Sequence, residues 1–181
     1  MILLASNSQT RAALLEGAGV PFLQKGCDFD EEQIKADSPK NFVYQAVLGK
    51  FAVCEKEFGL SLPLLVADTV VTAGGEILRK AKDKEDARRI LEAQSGKKVS
   101  IITCMKYVST TKMLLDISAT EYLFKPFDEK ELERYLDSGE WQGKAGACMV
   151  EGFCRPYIDE VYGHESTAMG LCLEKLLPFL D

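Results

Sequence analysis

The run Leu64-Leu65-Val66-Ala67-Asp68-Thr69-Val70-Val71-Thr72 reads as a buried strand, rich in β-branched and aliphatic residues, and Gly74-Gly75 turns it into a second short strand at Glu76 to Arg79. One residue breaks the apolar pattern. A carboxylate at position 68 sits where water is excluded, and burying it costs several kcal/mol unless a cation, a metal or hydrogen bonds compensate. Asp68 is therefore a candidate metal ligand or general base with a tuned pKa. The plainer alternative is a structural Asp bonded to nearby backbone.

Outward from this strand, β-type and helical patterns alternate. Upstream, Ile2 to Ala5 is a short apolar strand and Ser6-Asn7-Ser8 a polar turn. Gln9 to Ala18 then spaces Ala12, Leu14, Leu15 and Ala18 as a helix, with Gly19 as its stop. Val20 to Gln24 predicts a strand, followed by the acidic loop Asp28-Phe29-Asp30-Glu31-Glu32. Ser38-Pro39 opens a helix running to about Glu57, a Ser cap followed by Pro at the first helical position. Downstream, Asp83 to Ala93 predicts a helix, and Lys98 to Val108 and Met113 to Phe124 two strands joined by Ser109-Thr110-Thr111. Asp128 to Leu136 predicts a further helix, Gly139 to Gly152 is glycine-rich, and Met169 to Leu180 predicts a closing helix. With neither repeats nor linkers, the expectation is one domain over residues 1–181. Its fold class is α/β, a mixed sheet bent into two lobes around a central cleft.

The chain of 181 residues is 46% apolar, ordinary globular material, and carries a net charge of −6. That charge argues against a protein that coats nucleic acid, which needs clustered Lys and Arg, but leaves a small anionic substrate open. No apolar run approaches the length of a membrane span, and the N-terminus lacks the pattern of a signal peptide. Six cysteines, at 27, 54, 104, 148, 154 and 172, include no C-x-x-C pair, and the chain has a single histidine. The expectation is reduced thiols in a cytoplasmic protein.

Four further segments carry candidate chemistry. Ser6, Ser8, Thr10 and Arg11 lie at a strand-to-helix turn, where unsatisfied N–H groups favour phosphate; an ordinary Ser8 cap with an exposed Arg is the alternative. Glu31, with Asp28 and Asp30, offers the hard oxygen donors that magnesium prefers, although an acidic loop by itself is usually just solvated. Lys50 shares one helix face with Val43, Ala46, Val47 and Cys54, so it either snorkels or points into a polar site. Lys80 and Lys82 follow the Gly74-Gly75 hairpin, and Lys144 stands between glycines in Gly143-Lys144-Ala145-Gly146, with Glu151 shortly after. Each of these could meet phosphate or simply face water.

Taken together and in order, these segments resemble the Maf family of nucleotide pyrophosphatases, once described as septum-formation inhibitors. The matching pieces are Ala5-Ser6-Asn7-Ser8 with Arg11, Asp28-Phe29-Asp30-Glu31, Lys50, Ala67-Asp68-Thr69-Val70-Val71, Glu76-Ile77-Leu78-Arg79-Lys80, Lys144-Ala145-Gly146-Ala147 and Gly170-Leu171. The resemblance covers essentially the whole chain. It implies hydrolysis of a nucleoside triphosphate between its α and β phosphates with a divalent cation, Mg2+ or Mn2+, and often a homodimer. Carried onto matching positions, Asp68 is the proton acceptor, Asp68 and Glu31 hold the metal, and Lys50 and Lys80 join the catalytic set. Ser6, Ser8, Arg11 and Lys144 then bind substrate. Three positions that vary with substrate in the family, Thr10, Thr69 and Glu151, divide here between its branches, and Ala81 and Cys172 replace common prolines. The competing reading is a nucleotide-binding regulator of cell division without turnover.

Overall fold

The structure, a computed structural model, describes residues 1–180. Among the described residues seven strands are formed: β1 Ile2–Leu4, β2 Phe22–Gln24, β3 Leu64–Ala73, β4 Glu76–Leu78, β5 Lys98–Val108, β6 Met113–Phe124 and β7 Ile158–Tyr162. The helices are α1 Gln9–Gly17, α2 Pro39–Phe58, α3 Lys84–Glu92, α4 Glu129–Ser138, α5 Glu165–Ala168 and α6 Leu173–Leu176. Hydrogen bonding orders the strands β2-β1-β3-β5-β6-β7, with β4 paired to β3. The sheet is mixed, because β1 runs parallel to β2 and β3 while β3–β4 and β6–β7 are antiparallel.

The chain divides into two compact units. The first comprises Met1–Thr69, Ile102–Ser118 and the segment from His164 onward; the second comprises Val70–Ile101 and Ala119–Gly163. In the first unit, strand alternation sorts side chains onto two faces. Ile2, Leu4, Leu65, Ala67, Met105 and Tyr107 pack with Leu15 of α1 and with Leu171 and Leu176 near the C-terminus. Leu3, Ala5, Leu64 and Val66 pack instead with Phe51 and Cys54 of α2. By the same parity Asp68 falls on the α2 side, and Thr69 on the side of α1.

In the second unit, α3 and α4 are tied by Lys84 to Glu133 and Asp137, and by Arg88 to Glu129 and Glu133. An aromatic cluster of Phe127, Tyr135, Phe153 and Tyr157 fills the space beside α4.

Three features differ from the sequence expectations. The closing helix over Met169 to Leu180 does not form. Gly170 takes φ 109° and Cys172 is non-helical, so α5 and α6 are separate single turns, followed by a 3-10 turn at Leu177–Phe179 that contains Pro178. Strand β7 was not anticipated; four of its five residues are exposed, so it lacks the apolar alternation that marks a half-buried strand. The cysteines are not all reduced. Cys27–Cys54 and Cys148–Cys154 are disulfides, and only Cys104 and Cys172 are free. The fold brings these pairs to Cα separations of 5.9 and 6.6 Å, inside bonding reach, a closeness that spacing along the chain does not reveal.

Candidate active site

Lys50, Glu31 and Asp68 meet in the first unit. Lys50 projects from the inward face of α2, where Val43, Ala46, Val47 and Cys54 are fully buried around it. Its ammonium donates to Glu31 Oε1 at 2.5 Å and to Asp68 Oδ1 at 2.6 Å. Glu31 opens a short 3-10 turn whose preceding residue, Asp30, accepts from the Glu32 N–H and so fixes the turn. The loop is docked by Phe29, whose ring lies against Gly49, immediately before Lys50. Side-chain exposure falls from 41% at Glu31 through 19% at Lys50 to 8% at Asp68, so the triad runs from solvent inward to the sheet.

Burial pushes the Asp68 carboxyl above its ordinary value of 3.8; Lys50 opposes this, and the nearby Glu31 charge adds to it. The result is a carboxylate in contact with a cation yet more basic than a solvated Asp. Cys104, on the strand next to β3, is buried and pushed up to about 12 by desolvation, with the Asp68 charge contributing, so it stays a neutral thiol.

The second half of the site is the turn between β1 and α1. β1 ends at Leu4 beside Leu65, so β3 continues through Asp68 without it. Ser8 caps α1, its hydroxyl accepting from the Arg11 N–H at 3.3 Å, and Ser6 Oγ accepts from the Ser8 N–H at 3.2 Å. Gln24 of β2 holds the turn open from behind, donating to the Ser6 and Ser8 carbonyls at 2.8 and 3.1 Å. The Arg11 guanidinium donates through Nε to Gly170 O at 3.0 Å, through Nη1 to Ser6 Oγ at 3.1 Å and through Nη2 to Thr69 Oγ1 at 3.0 Å. One N–H on each terminal nitrogen lies outside these contacts, a fork suited to an anion. Desolvation lowers the Arg11 pKa, while the charges of Asp68 and Glu31 raise it. Thr10, in the first turn of α1, is half-buried.

The remaining sequence candidates belong to the second unit. Lys80 forms an antiparallel bridge with Ala145, and the Gly146 N–H donates to the Leu78 and Arg79 carbonyls, so the Gly143–Gly146 turn is sewn to the end of β4. Gly146 has φ 67°, and a β-carbon there would meet Val71 at 2.9 Å. Lys80 is exposed, Lys144 donates to the Glu140 carbonyl, and Glu151 is half-buried. Sequence reasoning missed Gln24 and also Thr103, whose hydroxyl lies 2.8 Å from that of Thr69. Their signal is weak, because Gln at the end of a strand and Thr within one are both ordinary.

The sequence of this chain matches the family described as "Maf-like protein" over residues 1–181. The chain belongs to that family. A protein named nucleoside triphosphate pyrophosphatase from Nitratiruptor sp. is 55% identical to this Maf-like chain, covering 97% of it and 96% of the relative. One of the same name from Helicobacter pylori is 39% identical, covering 97% and 93%, and one from Campylobacter jejuni subsp. doylei is 39% identical, covering 99% and 100%. A solved structure titled nucleoside-triphosphatase / dITP/XTP pyrophosphatase, from Mycobacterium abscessus, matches the Maf-like chain at 14% identity and a TM-score of 0.47. It covers 98% of this chain and 92% of its own.

Proposed function

We propose that this chain hydrolyses nucleoside triphosphates to the monophosphate and pyrophosphate. Water attacks the α-phosphorus, the bond from that phosphorus to the bridging oxygen breaks, and Asp68 takes the proton of the attacking water. The observation that carries this reading is the pairing of two carboxylates from separate elements, Glu31 and Asp68, around one ammonium. The Arg11 fork in the same unit supports it, as do relatives that bear the name of this activity at up to 55% identity.

Asp68 suits a proton acceptor because burial raises its pKa toward the operating range without removing its charge partner. Lys50 keeps Asp68 ionised and aimed, and Glu31 holds Lys50 from the solvent side. Two carboxylates also fit a hard dication such as Mg2+ or Mn2+, which commonly takes one or two carboxylates together with substrate phosphates; Asp68 and Glu31 would hold it. When bound, such an ion supplies charge neutralisation to the triphosphate.

Ser6 already accepts two hydrogen bonds, so its hydroxyl proton is left to donate, and Ser8 has the same capacity at the helix N-terminus. These donors and Arg11 bind the triphosphate, gripping its phosphate oxygens in ground state and transition state alike. The family resemblance also assigns Lys80 and Lys144, on second-unit segments joined by the bridge at Ala145, to the triphosphate. Thr10 and Thr69, in the unit that holds Arg11, read the base.

The experiment is a panel of canonical and modified nucleoside triphosphates with magnesium or manganese, with pyrophosphate and orthophosphate assayed separately. Pyrophosphate and monophosphate in one step are expected. Release of orthophosphate alone, or of neither with either metal, overturns the proposal.

A further inference from the structure

Behind Arg11 runs a chain of hydroxyls whose direction is fixed at its far end. Thr103 lies on β5, 1% exposed, on the same face as Met105 and Tyr107. Its hydroxyl sits 2.7 Å from the Thr167 carbonyl and 2.8 Å from the Thr69 hydroxyl. A carbonyl can only accept, so the Thr103 proton is committed to Thr167. Thr103 Oγ1 must then accept, and the Thr69 proton is committed to Thr103. Thr69 is left with lone pairs alone, one of which takes the Arg11 Nη2 proton at 3.0 Å.

We infer that Thr103 is a positioning residue: it polarises Thr69 into an obligate acceptor and thereby holds the Arg11 guanidinium in the orientation that binds the triphosphate. This rests on the proposed function for the identity of the ligand, but not for the direction of the relay.

The geometry around Arg11 explains why the relay matters. Gly170 supplies the other fixed acceptor, and a β-carbon there would meet Arg11 Nε at 2.9 Å, so the guanidinium is confined on that side. Ser6 Oγ also accepts from Nη1, but no carbonyl commits its proton as Thr167 commits that of Thr103. Without Thr103, the Thr69 hydroxyl is also free to rotate, and a proton turned toward the cation repels it. The relay has a second consequence. Toward any group of a bound nucleotide that reaches it, Thr69 offers an acceptor only and pairs with N–H donors rather than carbonyls.

The test compares wild type with Thr103→Val, which keeps the shape and loses the relay, and Thr103→Ser, which keeps both proton roles. The probes are dTTP with magnesium for turnover and the uncleavable α,β-methylene analogue of dTTP for binding. For Thr103→Val, KM and the Kd of the analogue should rise about tenfold, the scale of one hydrogen bond to a charged group, with kcat nearly unchanged. Thr103→Ser should recover wild-type values. A purely structural role would instead lower the active fraction, giving reduced kcat at unchanged KM in both variants, and that outcome overturns the inference. So does an unchanged Kd in Thr103→Val. Wild type that binds the analogue but releases no pyrophosphate from dTTP or the wider panel sinks the proposed function alone, since the Kd ratio still decides the relay.

Discussion

The ring of Phe29 lies 2.2 Å from where a β-carbon on Gly49 would stand, so the loop that delivers Glu31 rests on a gap in α2 that only glycine leaves. Gly49→Ala normally strengthens a helix by about 0.5–1 kcal/mol. Here it should expel the ring and carry Glu31 away from Lys50. A fall in kcat of about 100-fold is expected, the scale of a small misplacement in a catalytic group. Steady-state kinetics and a melting curve check it; full activity with a higher Tm would mean that the ring yields without moving Glu31.

Asp68→Asn should lower turnover by about 10²–10⁴-fold while nucleotide still binds. Because burial holds the Asp68 pKa above 3.8, the folded state keeps its proton to higher pH than the unfolded chain does. Its contribution to stability is thus greatest below the ordinary carboxylate value and declines as pH rises through the folded value. The Tm of the Asn variant relative to wild type should therefore climb with pH, starting near pH 4. Melting curves across that range settle the sign, and a gap that shrinks with rising pH contradicts it.

The same raised value sets the acid limb of kcat/KM above 3.8. Lys50→Met removes the cation that keeps Asp68 ionised and leaves Glu31 beside it, so the limb should move to still higher pH. Lys50→Arg should move it less. A pH–rate profile for each protein measures this, and a limb at an unchanged position removes Asp68 from the proton-transfer step.

Denatured without reductant, the protein should alkylate at two cysteines, and with reductant at six. Reducing Cys27–Cys54, which are 27 residues apart, should cost about 3–4 kcal/mol of stability by the loop-entropy argument. Mass spectrometry counts the thiols, and denaturant midpoints with and without reductant in a Cys148→Ala/Cys154→Ala background give the cost.

What the sequence made legible follows from where physical signals are strong. β5 and β6 have the limits expected from their composition, and α2 begins at the Pro behind its Ser cap. Asp68 and Lys50 stood out because each puts a charge where its neighbours are apolar, and the structure brings them together. Thr103 gave no such signal, since Thr is a natural strand former and its role appears only when Thr167, 64 residues later, is seen to accept its proton. The Cys27–Cys54 bond was hidden for a similar reason: α2 folds back over a loop whose path the local pattern does not encode. The closing helix misled because apolar content at residues 169–180 outweighed Gly170, whose positive φ places its carbonyl against Arg11.

That last contact joins residues 159 positions apart. During synthesis at about 5–20 residues per second, Arg11 emerges roughly 8–32 seconds before the carbonyl that orients it. By the later part of that interval the nascent chain contains Glu31, Lys50 and Asp68, but no carbonyl to fix the guanidinium. The guanidinium is therefore the last of these groups to be held in place, once nearly the whole chain has been made.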